Sequence, residues 1–374
     1  MQSKVYFISA RAEKFKYESG LMGKYEKLLE DFNFQNYIEK DAVIPIKIHL
    51  GNSGAFRTIR PQFVQKTVER LKKVPSKPFV TDSVRIEAYK YLEVANSAGY
   101  NYLTLGAPVV IADGMYGKDS IKVKSGPLLD EVSIASAIYD AESMVVLTHV
   151  KGHVQAVFGG AIKNISMGGV SGAPRGGSWK HGRGKMHFLH GDIMKWNKEK
   201  CVFCYNCVQI CPEECIEFVD NVYTVDEKKC VRCGRCARVC PEDAIEVPIT
   251  HVDFMKAVSE GAKAVLSTFN KKRVVYINFM LEMQPECDCM SIADTPVVQD
   301  QGILLSDDPV AIDKASLDML KNIKTLPNSL AENIEVNGER DVFSILHGKN
   351  ADKQLLEAEK MGLGSTSYEL IKMA

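Results

Sequence analysis

Between Cys201 and Cys240 the chain writes one cysteine pattern twice. Cys201, Cys204, Cys207 and Cys211 recur at Cys230, Cys233, Cys236 and Cys240, a constant shift of 29 residues, and each run is followed by proline. Short spacing of this kind lets three thiolates converge on one small face before proline turns the chain away. Eleven cysteines in 374 residues are too sparse for a disulfide scaffold, and nine of them fall in this window, so the clustering points to metal. Zinc also accepts Cys-x-x-Cys pairs, but its sites take four ligands in two pairs. Three cysteines with a fourth set apart, repeated once, predict two [4Fe-4S] clusters.

Over roughly Lys198 to Val247 the chain resembles the bacterial two-cluster ferredoxins. The resemblance implies that each run lends its last cysteine to the other cluster: Cys201, Cys204, Cys207 and Cys240 around one, Cys230, Cys233, Cys236 and Cys211 around the second. Cys215 breaks the repeat, since its counterpart is Ala244. It is read as a small buried side chain beside a cluster rather than as a ligand. Two clusters held this close serve as a wire.

Around the module, strand and helix patterns alternate. Val5 to Ser9, Val43 to Ile48, Phe79 to Thr81, Val109 to Ala112, Met144 to Thr148 and Arg273 to Phe279 read as strands. Helical spacing covers Leu21 to Phe32, the stretch opened by Pro61, Glu87 to Ala98, Val252 to Leu266 and the stretch opened by Pro309. The expectation is an α/β body with a mostly parallel sheet, interrupted by an inserted α+β two-cluster ferredoxin-like domain. Its boundaries fall at 1–192, 193–248 and 249–374. Asp352 to Met373 reads as two short helices broken by Gly362 and Gly364.

From His149 to Gly191 the alternation stops. That window holds eleven glycines, five of the eight histidines, six Lys/Arg and no acid, and reads as too Gly-rich for a regular element. It begins at the end of a strand, where open α/β sheets bind ligands. Lys151, Lys163, Arg175, Lys180, Arg183 and Lys185 lack a local acid to cancel them, so the reading is an anion pocket; the bland alternative is a solvated basic loop. Gly159, Gly160, Asn164, Gly168 and Gly169 are the candidates for cofactor binding. Lys163 is the candidate for direct chemistry, through loss of its proton in a desolvated pocket. His149 and His153 read either as catalytic groups or as histidines hydrogen-bonded within a turn.

A third segment follows the strand ending near Phe279. It contains Cys287, Cys289, Asp294, Asp300, Asp307 and Asp308. Asp307 or Asp308 caps the helix opened by Pro309. Cys287 and Cys289, two residues apart, make no easy disulfide and are read as reactive thiolates or ligands of one soft metal.

Together these segments resemble the iron-sulfur branch of the family known as domain of unknown function 362. The resemblance runs through IRPQFV, PFVTDS, APVVIADG, THVKGHVQAVFGGAIKNISMGG, the cysteine module and CDCMSIADTPVVQDQGILLSDDPVAIDKAS. It implies an α/β body with a ferredoxin domain and names no reaction. The run from His153 to Lys163 is also similar to a loop of the nickel-pincer lactate racemases, in which the matching lysine tethers the cofactor and the histidine serves the site.

The expected function is an iron-sulfur oxidoreductase passing electrons to an anionic small molecule. The alternatives are a non-catalytic electron carrier or assembly factor docking a partner enzyme, and a racemase-like or transferase enzyme with structural clusters. Lys+Arg and Asp+Glu both number 47, which gives no bulk reason to expect nucleic acid or an anionic membrane. The N-terminal stretch lacks a secretion h-region and no apolar run reaches a membrane span, so the expected location is cytoplasmic. The expected partner is a redox protein or an anionic small molecule.

Overall fold

A computed structural model describes residues 2–373 apart from 86, 174, 178–180, 188, 190–193, 212, 228, 231, 233 and 248–250. Cys233 and Lys180 therefore lie outside the described residues. The body is built on one eight-stranded sheet. In chain order its strands are β1 (Ser3–Ser9), β2 (Val43–Lys47), β3 (Lys77–Asp82), β4 (Val109–Ile111), β5 (Met144–His149), β6 (Val274–Met280), β7 (Gly302–Ser306) and β8 (Tyr368–Lys372). They lie side by side as β8-β1-β7-β6-β5-β2-β3-β4. All pairings are parallel except those of β7, which runs antiparallel to β1 and β6.

β5 and β6 are buried at every position, as strands covered on both faces must be. Alternate side chains feed two separate cores. Val145, Leu147, Val275, Ile277 and Phe279 join Tyr25, Leu28, Phe63 and Val68 from the helices Leu21–Asp31 and Pro61–Lys73. Met144, Val146, Val274 and Tyr276 join Ile162, Ile165, Val258, Val265 and Ile312 from the helices Ala161–Gly169, His251–Leu266 and Pro309–Met319. The result is a three-layer α/β sandwich. No helix among the described residues is long and apolar enough to cross a membrane.

Three sequence readings need correction. The Gly-rich window is not irregular throughout, since it folds a hairpin, Lys151–His153 against Val157–Gly159, and the helix Ala161–Gly169. Glycine is used there for approach, because a Cβ on Gly168 would sit 2.0 Å from Lys47 Cε and one on Gly169 would sit 2.7 Å from Val265. The C-terminal segment is the helix Asp352–Lys360 followed by β8, which pairs with β1 at the sheet edge. β7 went unread as a strand.

The start of the helix Ala161–Gly169 is tied down by a residue far away in sequence. Ala161 and Ile162 donate their amides to Asp313 at 2.7 and 3.0 Å, and Asn278 Nδ2 donates to the same carboxylate at 2.9 Å. Burial pushes the Asp313 carboxyl up to about 6. An acid raised on folding contributes stability that is lost as pH rises from its ordinary value of 3.8 towards about 6. Between about pH 5 and pH 7 the Asp313→Asn protein should therefore lose about 1 kcal/mol less stability than the wild type. Parallel melting curves at the two pH values check this.

The cysteine segment has its own small core of Met194, Cys207, Cys215, Ile216, Tyr223, Cys230, Cys236 and Ile245. Its two halves repeat structurally as well as in sequence. Four-residue helices, Asn206–Gln209 and Arg235–Arg238, occupy matching places. Left-handed residues match too: Phe203 with Arg232 (φ 53° and 51°), Tyr205 with Gly234 (60° and 78°), and Glu214 with Asp243 (46° and 48°). The halves are interlaced, because Lys195–Trp196 pairs with Ile245–Glu246 while Ile216–Val219 pairs with Val222–Val225.

Candidate active site

β2, β3, β5 and β6 run parallel, so their carboxyl ends share one edge. A cavity of about 410 Å³ opens there, where ligands of open α/β sheets bind. Lys47, Asp82 and His149 are the last residues of their strands and all line it.

Lys47 Nζ lies 3.0 Å from Asp82, with both side chains 1% exposed. Lys47 also donates to Asn164 Oδ1 at 2.6 Å, and Asp82 accepts from Tyr91 Oη at 2.6 Å. Burial alone would raise the Asp82 pKa, but Lys47, then His49 and Tyr91, outweigh it and hold the carboxyl below its usual range. His49 Nδ1 sits 3.1 Å from Asp82, and His49 Nε2 is buried without a partner among the described residues.

A second buried carboxylate, Asp288, stands behind two cavity-lining residues, His149 and Lys151. Asp288 contacts Lys151 Nζ at 2.7 Å and His149 Nδ1 at 3.0 Å, and accepts from Gln284 Nε2 at 3.0 Å. Burial opposes its charge, yet His149 and Lys151 together keep its carboxyl far below the ordinary value. His149 Nε2 is engaged as well, 2.9 Å from the Leu281 carbonyl. Both ring nitrogens are thus committed to the protein, and His149 acts as a bracket.

The groups with free chemistry line the same cavity. Because Cys287 and Cys289 flank Asp288, anchoring that carboxylate sets both sulfurs at the cavity. Lys163, on the first turn of the helix Ala161–Gly169, reaches Cys287 Sγ at 3.3 Å. A hydrogen bond with the Cys289 thiol, then the charges of Lys163 and Lys151, hold Cys287 well below the usual thiol range although burial works against it. The same pairing raises the Lys163 pKa against the desolvation it suffers. The Cys287 sulfur beside it favours the charged ammonium, the opposite direction from the proton loss that desolvation alone would bring.

His153 points a different edge at the site. Its Nδ1 accepts the amides of Ala156 at 2.8 Å and Gln155 at 3.1 Å. Burial, and then the charge of Lys163, hold the ring well below its usual pKa. A neutral imidazole with an acceptor at Nδ1 carries its hydrogen on Nε2. A ring nitrogen of His153 and the sulfurs of Cys287 and Cys289 lie within 4.8 Å of one another, a spacing that a soft metal could use. Metal-bound histidine, however, normally donates its other ring hydrogen, and here that nitrogen faces two donors.

The sequence candidates thus divide. Lys163, His153, Cys287 and Cys289 meet in the cavity, whereas His149 and Asn164 hold the frame: Asn164 Nδ2 donates to the Leu147 carbonyl at 2.9 Å and to Thr148 Oγ1 at 3.0 Å. Gly159, Gly160 and Gly168 line the cavity and Gly169 instead abuts Val265. Of the basic residues, Lys151 and Arg183 line it, while Lys185 turns to the Glu131 carbonyl at 3.2 Å and Arg175 is exposed. Asp308 caps its helix, accepting from Val310 and Ala311 at 2.9 Å, and Asp294 is exposed. Lys47, His49, Asp82 and Arg85 were missed, although the sequence-predicted strands ending near Ile48 and Thr81 already marked that edge.

The cysteine segment adds two small cavities. Cys201, Cys204 and Cys207 line one together with Cys240 from the other run. Cys230 and Cys236 line the second together with Cys211 and Cys215. Cys215 is buried, its sulfur 3.4 Å from that of Cys211. The first cavity is walled by Trp196, Tyr205 and Phe218 and no carboxylate lines it among the described residues. Glu213 lines both the second cysteine cavity and the large basic one, and Lys229 reaches the basic cavity from beside Cys230. A salt bridge from Arg235 to Glu286 joins the cysteine segment to the residue preceding Cys287.

Residues 44–318 match the family described as Domain of unknown function (DUF362), and the chain belongs to that family. A search of curated proteins returned no match. Among solved structures, the lactate racemase apoprotein from Thermoanaerobacterium thermosaccharolyticum is similar at 10% identity and a TM-score of 0.36, over 75% of this chain and 51% of that one. A Thermotoga maritima protein is similar at 9% identity and a TM-score of 0.33, over 70% and 50%. The chain therefore spans about half the length of each.

Proposed function

We propose that this member of the DUF362 family is an iron-sulfur oxidoreductase, with two [4Fe-4S] clusters beside a site for a small anionic substrate. One observation carries the reading: among the described residues, Cys240 lines a cavity with Cys201, Cys204 and Cys207 of the first run, and Cys211 lines another with Cys230 and Cys236 of the second. In the first cavity an all-sulfur donor set between aromatic walls, with no carboxylate among the described residues, suits a four-iron cluster. Cys201, Cys204, Cys207 and Cys240 would hold one, and Cys230, Cys236 and Cys211, with Cys233, the other. Bound there, each cluster supplies one electron at a time.

The chain's own residues supply the rest. Lys151, Lys163, Arg85 and Arg183 give the large cavity an excess of positive charge over Asp82 and Glu213, which favours an anion in a partly desolvated site. The neutral His153 Nε2–H is placed to donate a hydrogen bond to it. Glu213 sits in the wall shared by the second cysteine cavity and the substrate cavity, so electron exchange needs no separate docking step.

Redox titration with oxalate as the anionic probe tests this. An anion about 10 Å from the second cluster should lower that cluster's midpoint by roughly 50 mV and leave the other nearly unmoved. The Lys163→Gln protein should lose most of the shift. Oxalate binding with neither midpoint moved would instead support an enzyme whose clusters are structural.

A further inference from the structure

We propose that Cys287 is the nucleophile of the basic cavity, attacking a small anionic carbonyl compound that Lys163 and His153 hold against its sulfur. Three independent features of geometry converge on that sulfur. Lys163 Nζ is 3.3 Å away, the Cys289 amide donates to it at 3.5 Å, and a His153 nitrogen lies within 4.8 Å. The side chain is 2% exposed and lines the cavity, so its sulfur sits at the cavity wall in a largely desolvated setting. A divalent metal does not suit the same place, because the Lys163 ammonium already occupies the sulfur's charged side and His153 has its Nδ1 lone pair turned to backbone amides. The low pKa of Cys287 described above agrees with a sulfur that is ionised at rest.

The step balances within the site. The sulfur's electron pair forms the S–C bond, and the carbonyl π pair moves onto oxygen. That oxygen is held by His153 Nε2–H and takes the proton of Lys163 Nζ, giving a tetrahedral adduct whose remaining charge is the substrate's own anionic group, and an uncharged lysine. Lys151, Arg85 and Arg183 receive the substrate's anionic group. His153 needs no proton transfer, because a neutral imidazole donates a hydrogen bond without giving up its hydrogen.

This rests on the basic cavity being the substrate site, and it is independent of the clusters. The test is alkylation of the anaerobically purified full chain with iodoacetate and with the neutral iodoacetamide, followed by peptide mass spectrometry at Cys287. Iodoacetate should label Cys287 at least about fivefold faster than iodoacetamide, and the preference should vanish in Lys163→Gln. In the wild type the rate should stay nearly flat from about pH 8 to about pH 6, where an ordinary thiol slows about a hundredfold. Pyruvate, as the carbonyl probe, should slow labelling reversibly and saturably. Faster labelling by iodoacetamide, no labelling of Cys287 by either reagent, or a rate that falls like an ordinary thiol overturns the assignment. Labelling indifferent to pyruvate removes the carbonyl class. Iron content measured on the same sample separates this outcome from failure of the electron-transfer reading.

Discussion

Replacing Cys201 and Cys240 together by serine should leave about four iron per chain, whereas replacing Cys201 and Cys211 together should leave almost none. The two double variants remove the same number of thiols and differ only in which cavity they empty. Cys201 and Cys240 line one cavity, so their loss disables a single cluster. Cys211 lines the other, beside Cys230 and Cys236, so pairing its loss with that of Cys201 disables both. If each run instead closed on itself, the two results would exchange. Iron analysis after anaerobic purification decides between them, and the residual cluster spectrum of the first variant controls for misfolding.

Asp288→Ala should destabilise the chain by about 3–5 kcal/mol, more than any other single carboxylate change in the segment from Cys287 to Asp308. The loss is that of a counter-ion. Lys151 at 2.7 Å and His149 at 3.0 Å are nearly as buried as Asp288 and would face each other without it. The pKa directions place this contribution above the ordinary carboxylate range: the Asp288 carboxyl is depressed in the folded state, so its stabilisation is fully present at neutral pH and lost only in strong acid. Asp294→Ala, at an exposed position whose carboxylate accepts the amide of its neighbour Thr295 at 2.7 Å, should cost at most about 0.5 kcal/mol. Thermal melts of the two variants under identical anaerobic conditions give the comparison.

Much of the body was legible because the sheet is mostly parallel. Buried parallel strands such as Met144–His149 and Val274–Met280 are mostly apolar and buried at every position, and the helices between them carry a clear apolar stripe. The misreadings have local causes. Gly-Gly at 168 and 169 reads as a breaker, but the first glycine closes against Lys47 and the second against Val265 at the end of a helix whose start Asp313 fixes from 151 residues away. The C-terminal strand Tyr368–Lys372 is an edge, half-buried and charged at Glu369 and Lys372, and its pairing with β1 spans nearly the whole chain.

The site divided along a similar line. Lys163, Cys287 and Cys289 announced themselves by residue type, whereas the roles of Lys47, His49 and Asp82 arise only when the ends of two strands come side by side. His149 shows the converse. A histidine at a strand's carboxyl end invites a catalytic reading, and only the positions of Asp288 and the Leu281 carbonyl reveal that neither nitrogen is available. Lys163 shows a third kind of limit, since its protonation depends on a thiol 124 residues later in the chain.

The most direct test is a joint measurement of iron, zinc and acid-labile sulfide in anaerobically purified protein. Two clusters crossing their last cysteines require about eight iron and about eight sulfide per chain. Zinc in place of iron, with no labile sulfide, would contradict the assignment and remove the source of electrons beside the basic cavity.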